Sequence, residues 1–198
     1  MKRIFSLFLV LAALTAALLV FPACGDKPDT STHRVAIEVQ DYGTIELELS
    51  PTKAPITVAN FEKLVKEGFY DGLTFHRVVK NFMIQGGDPK GDGSGGSDKT
   101  IKGEFSQNGF TRNDIKHERG VISMARSSSS NDSASSQFFI MHGDAPYLDG
   151  SYAAFGRVTS GMDVVDAIAN VKVKDNGSGE TSTPVKLVVI TRMYMIED

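Results

Sequence analysis

Hydrophobic residues recur at every second position in short runs, and that spacing constrains this chain more than any other feature. Over 34–40, Val35, Ile37 and Val39 alternate with Ala36 and Glu38; over 45–49, Ile45, Leu47 and Leu49 alternate with Glu46 and Glu48. A period of two puts one set of side chains on each face of a strand. Asp41-Tyr42-Gly43 between the runs supplies turn chemistry, so they predict a hairpin. Further apolar segments of strand length lie at 73–79, 82–85, 121–125, 137–141 and 153–158. A last strand is predicted over 186–196, with Leu187, Val189, Thr191 and Met193 on one face. Helical spacing shows at two places. Pro55 followed by 57–67 sets Val58, Phe61, Leu64 and Val65 on one face, with Gly68 where a C-terminal cap belongs. Met162, Val165, Ile168 and Ala169 mark the second helix. Strands mostly follow strands, which predicts a mainly β fold. The expected form is a closed eight-stranded antiparallel barrel capped by two α-helices, because closure removes exposed strand edges.

The chain has 198 residues, room for one well-buried domain rather than two. Its N-terminus differs from the rest. Met1-Lys2-Arg3 is a short basic start, and residues 4–21 are apolar apart from Ser6 and Thr15. That pattern reads as a secretory signal, although its length is also close to that of a retained transmembrane anchor. Pro22-Ala23-Cys24-Gly25, directly after it, favours the signal. Cys24 is the only cysteine, so no internal disulfide is available and the domain must be stable through its core. Its position resembles a bacterial lipobox, in which the thiol is lipidated and becomes the mature N-terminus. Ordinary cleavage near Ala23, leaving an incidental thiol, is the alternative. The predicted organisation is a signal peptide over 1–23, a polar tether over 24–33 and one domain over 34–198. The expected location is extracytoplasmic, anchored to a bacterial membrane as a lipoprotein. Loss of 1–23 removes Lys2 and Arg3 and no acid, so 19 basic side chains face 24 acidic ones. No basic run or arginine stripe remains, and nucleic acid is not an expected partner.

Several motifs that suggest chemistry do not hold. The glycine-rich stretch 86–96 has no Lys-Ser/Thr at P-loop spacing, and no helix opens after it. Lys90 and Lys99 occupy positions where an EF-hand needs ligands. Asp92 stands where a Gly-x-Ser-x-Gly elbow around Ser94 needs its first glycine, which leaves a hydrolase of His76 and Ser94 weakly supported. His33, His76, His117 and His142 lack metal-ligand spacing, so neither a metal nor a cofactor is expected.

The specific signal is the run Phe75-His76-Arg77-Val78-Val79-Lys80-Asn81-Phe82-Met83-Ile84-Gln85-Gly86-Gly87-Asp88. It is joined by Ser123-Met124-Ala125, by Ser136-Gln137-Phe138-Phe139-Ile140 and by Leu148-Asp149-Gly150. In this order, the stretches resemble the cyclophilin family of peptidyl-prolyl cis-trans isomerases, over about residues 34–196. The resemblance implies an eight-stranded barrel with a helix at each end and an apolar groove on its outer surface. It implies Arg77 as the central catalytic residue, with His76, Gln85 and Phe82 beside it. It implies a proline pocket of Phe82, Met83, Phe139 and Leu148, and hydrogen bonds to the peptide from Gln85, the backbone at Arg126, and Gln137. Ala125, Tyr147 and Tyr152 fall along the same groove. Tyr147 stands where a Trp is usual and Tyr152 where a His is usual, departures that bear on cyclosporin binding rather than on the key charge. The implied activity is rotation of X–Pro bonds in exported or surface polypeptides, assisting their folding, by a monomer. A proline-peptide binding module or chaperone with little turnover is the alternative.

Overall fold

The computed structural model describes residues 33–197. The predicted signal, most of the tether and Cys24 lie outside the described residues. Among the described residues no helix is long and apolar enough to cross a membrane.

The alternating runs at the start pair as expected. Strands β1 (Arg34–Val39) and β2 (Gly43–Leu49) lie antiparallel, with Val35 opposite Leu47 and Ile37 opposite Ile45, all fully buried. Helix α1 (Pro55–Lys66) starts on a proline, whose fixed φ and missing N–H suit the first helical position. It buries Val58, Phe61, Leu64 and Val65 and ends before Gly68, which takes the left-handed φ of +68°. Phe61 meets the rings of Tyr70, Phe138 and Phe155 at centroid distances of 5.3, 5.6 and 5.0 Å.

The remaining strands are β3 (Arg77–Val79), β4 (Met83–Gly86), β5 (Val121–Met124), β6 (Phe138–Met141) and β7 (Ala154–Ser160). Helix α2 (Met162–Ala169), a hairpin of β8 (Val173–Asp175) and β9 (Thr181–Pro184), and β10 (Ile190–Met195) complete the chain. Eight strands form one antiparallel sheet in the order β10-β1-β2-β7-β5-β6-β4-β3, while β8 and β9 pair only with each other. The main core lies inside the curled sheet under α1 and α2. Residues 87–102 carry no regular strand or helix. They are organised by Asp88, whose buried carboxylate accepts the backbone N–H groups of Lys90, Asp92 and Gly93. Gly87 admits no side chain, because a Cβ there would lie 2.5 Å from the Ser136 carbonyl oxygen.

Three expectations need correction. The barrel does not close as a ladder: the sheet is a half-barrel ending at β3 and β10. The facing segments share one isolated bridge, Thr74 to Val189, with a few backbone bonds around it. The cause is local. The strand expected over 73–79 is regular only in its last three residues, because Gly72 at φ +79° and the irregular stretch after it break the extended run. The face assigned to the last strand is also wrong before Met193. Val188 and Ile190 are buried, whereas Leu187 is 77% exposed. A bulge between Glu38 and Val39 shifts the register, so one extra residue on β10 inverts the parity that simple alternation predicts. Finally, the β8–β9 hairpin has no counterpart in the sequence expectation.

Candidate active site

The outer face of β3, β4 and β6 brings a cation next to an apolar recess. A tight turn joins β3 to β4, with Asn81 at φ +62°, a conformation asparagine tolerates better than most residues. This turn sets Arg77 opposite Gln85 and Val79 opposite Met83. On the other side of β4, Gln85 faces Phe139 and Met83 faces Met141. Side chains on directly opposed residues share a face, so these residues stand together, away from the main core. Met83, Phe139, Met141 and Leu148 pack there as a second hydrophobic cluster, with Phe82, Ala125 and Tyr152 partly buried against it.

In front of this cluster lies a cavity of about 150 Å³. Phe82, Met83, Phe139 and Leu148 give it apolar walls, Arg77 and Gln85 bring polar groups to it, and Ala125, Arg126 and Tyr152 complete the lining. Tyr147 is not in the lining. It stands at the rim, 71% exposed, with its ring 6.0 Å from that of Phe82. Gln137 lines an adjoining cleft between residues 93–95 and the 125–137 segment. His76 faces a groove beside Arg77, between the glycine-rich loop and the β8–β9 hairpin. Its ring is nearly buried. Burial holds its pKa below the ordinary histidine value, outweighing the pull of Asp88 towards the charged form. His76 is therefore a neutral neighbour of Arg77 near pH 7.

The guanidinium of Arg77 is fixed from two sides. Nε donates to Glu180 Oε2 at 2.7 Å and Nη2 donates to Glu180 Oε1 at 2.6 Å, a bidentate pair. Nη1 donates to Gln85 Oε1 at 3.1 Å and lies 3.7 Å from the Met83 sulfur. Gln85 in turn donates to Gln137 Oε1 at 2.8 Å, and Gln137 donates to the carbonyls of Gly93 and Gly95. A continuous hydrogen-bonded row thus crosses the groove from the hairpin to the glycine-rich loop. The Arg77 hydrogen bonds hold the Glu180 carboxyl down at about 2, so the pair is ionised at any working pH. The Arg126 side chain turns away from this row. Its Nε donates to the Ser151 carbonyl, and its guanidinium stacks on the rings of Tyr152 and Phe105.

Behind the cavity wall is a network that sequence reasoning did not find. His117, fully buried, shares hydrogen bonds with Asp149 Oδ1 and Ser123 Oγ, both at 3.1 Å, and its ring stacks on Phe139 at 6.1 Å. The three residue types are those of a hydrolytic triad, yet Ser123 is completely buried and no substrate carbonyl can reach it. The network braces Phe139 instead. Spacing alone cannot link residues so far apart as Ser123 and Asp149. The sequence reading also passed over Glu180; an Asn-Gly turn at 176–177 was the available signal.

Residues 34–195 match the family model described as cyclophilin type peptidyl-prolyl cis-trans isomerase. The peptidyl-prolyl cis-trans isomerase B of Bacillus subtilis is 50% identical over 132 residues, covering 67% of this chain and 87% of that protein. A probable peptidyl-prolyl cis-trans isomerase of Brucella suis is 40% identical over 196 residues, covering 91% and 94%. Among solved structures, a cyclophilin type isomerase of Cryptosporidium parvum, crystallised in the presence of the dipeptide Ala-Pro, superposes with a TM-score of 0.73. It is 29% identical and the match covers 83% of this chain and 99% of that one. The chain belongs to the cyclophilin-type peptidyl-prolyl cis-trans isomerase family.

Proposed function

We propose that Arg77 is the catalytic residue of this isomerase and that the cavity beside it holds the proline ring of the substrate. The observation that carries the reading is a guanidinium at the wall of an apolar recess of about 150 Å³. A cavity of about that size lined by apolar side chains accepts a benzene ring, and pyrrolidine is smaller. X–Pro rotation crosses a barrier of about 18–20 kcal/mol because amide resonance is lost at the twisted geometry. There the proline nitrogen becomes pyramidal and exposes a lone pair that the planar amide withholds. An N–H of Arg77 donates to that lone pair only near the transition state, which is the differential binding that lowers a barrier. Arginine stays charged at every physiological pH, and no bond is broken, so the reaction calls for neither a nucleophile nor a general base. Shortening a relaxation of tens of seconds to milliseconds takes about 10⁴-fold, or roughly 5–6 kcal/mol. One preorganised charged donor and a pocket that immobilises the ring while the acyl side turns are of that order.

Arg77→Ala tests this. In a protease-coupled isomerisation assay, kcat/KM is expected to fall by about 10²–10³, the usual cost of removing one transition-state donor. Activity equal to the unaltered protein would remove Arg77 from the mechanism.

The clients in this reading are proline-containing polypeptides outside the cytoplasm, reached by a monomer tethered through lipid on Cys24. The basic start, the apolar run 4–21 and the Pro22-Ala23-Cys24 that follows it support the tether. Two or more acyl chains would hold it stably at a bilayer. Mass spectrometry of the membrane fraction should find the acylated cysteine as the mature N-terminus. A soluble, unmodified mature chain would refute the anchor.

A further inference from the structure

We propose that Glu180 is a positioning residue for catalysis: its carboxylate, held on the β8–β9 turn, fixes the plane of the Arg77 guanidinium against the proline cavity. The inference rests on the assignment of Arg77 as the catalytic donor.

The argument starts at the turn. Asn176 donates its backbone N–H to the Glu180 carbonyl at 2.9 Å, and its side-chain Oδ1 accepts the backbone N–H of Glu180 at 3.2 Å. The same Oδ1 accepts from Ser178, and Asp175 Oδ1 accepts from Gly177. Gly177 and Gly179 both take φ of +86°, which lets the loop close so tightly. Glu180 is therefore clamped at both its backbone N–H and its carbonyl, so its carboxylate reaches Arg77 from a fixed backbone position.

Against that fixed position the guanidinium has one orientation. Of its five N–H donors, Nε and one on Nη2 are held by Glu180 and one on Nη1 by Gln85. The second N–H of Nη2 remains for substrate, as does an N–H of Nη1 whose other contact is the weak one to the Met83 sulfur. A free arginine side chain has many rotamers, and only a small share of them aims those donors at the cavity. Gln85 alone is a single contact and cannot define a plane, whereas a bidentate carboxylate does. The pair also withdraws some of the positive charge. With both side chains partly exposed, solvent already screens that charge, so orientation outweighs neutralisation.

The experiment is a double-mutant cycle on the full-length protein, using Arg77→Ala, Glu180→Ala and the combination, with a proline peptide and NMR exchange to reach low activities. Glu180→Ala is expected to lower kcat about ten-fold with KM changed less than about two-fold, because orientation is lost and the pocket is untouched. Glu180→Gln, which keeps one acceptor oxygen, should fall between. In the Arg77→Ala background the Glu180→Ala change should have almost no further effect, since it acts only through the guanidinium. A structural role would instead lower activity equally in both backgrounds, with a matching fall in Tm, and would overturn the proposal. So would a Glu180→Ala enzyme as active as, or more active than, the unaltered one while Arg77→Ala is impaired. Full activity of Arg77→Ala would overturn the catalytic assignment and this inference together.

Discussion

Helix α1 has no capping side chain of its own, since Ala54 occupies the N-cap and Pro55 follows. The cap comes from Glu104, 47 residues downstream of Thr57 and completely buried. Its Oε1 accepts the Ile56 N–H at 3.0 Å, and its Oε2 accepts the Thr57 N–H at 2.8 Å and the Thr57 hydroxyl at 2.7 Å. These satisfy the backbone donors that a helix start leaves open and place a carboxylate at the positive end of the dipole. Glu104→Ala would strand the buried N–H and hydroxyl of Thr57, at about 1–3 kcal/mol each. The Ile56 N–H belongs to a side 43% exposed, where water can replace the lost bond. Adding about 0.3–1 kcal/mol for the dipole gives a total of roughly 3–5 kcal/mol. For a domain of this size about 1 kcal/mol moves Tm by 2–4 °C, so Tm should fall by roughly 10 °C. Glu104→Gln, which keeps one good acceptor, should cost about half as much. The assay is thermal unfolding followed by far-UV circular dichroism, with isomerase activity of the folded variant measured in parallel at 10 °C or below. The cap lies on the helix rather than at the groove, so activity per folded molecule should persist. A Tm within about 1 °C of the parent would refute the reasoning, because it would mean water pairs those donors as well as Glu104 does.

Two further outcomes are expected. Phe139→Ala removes a cavity wall that is 95% buried and stacked on His117, so it should destabilise by about 3–5 kcal/mol and raise KM more than it lowers kcat; a variant with unchanged KM would show that substrate does not use this wall. Burial lowers the pKa of His76, His117 and His142 from the ordinary value of 6.5, in each case against a nearby aspartate. A folded-state pKa below the unfolded one means that the unfolded chain binds more protons, so stability is complete above about pH 6.5 and declines as pH falls below it. The urea midpoint should drop between pH 7.5 and 5.5, and a flat profile would contradict this.

Much of the architecture is legible in the residues because it is local. Alternation over 34–49 is sufficient for the first hairpin, since both faces of a strand are written at a spacing of two and one face must be buried. Pro55 and Gly68 bracket α1 through their own backbone geometry. The run from Phe75 to Asp88 places Arg77 across from Gln85, because a hairpin with a short turn fixes its register within a dozen residues. Arg77, Phe82, Met83 and Gln85 of the cavity lining come from this hairpin; Ala125, Arg126, Phe139, Leu148 and Tyr152 were implied only by the family resemblance and join them from distant segments.

The tertiary structure decided what depends on distant chain segments meeting. Glu180 reaches Arg77 across 103 residues, and Glu104 reaches the start of α1 across 47. Neither contact leaves a periodicity, because an acceptor on a loop carries no signature of the donor it will find. The parity of β10 turned on one bulge, and closure of the sheet turned on how few residues after Gly72 stay extended. Local rules specify which faces are apolar; only the assembled sheet determines which loops come close enough to complete the site.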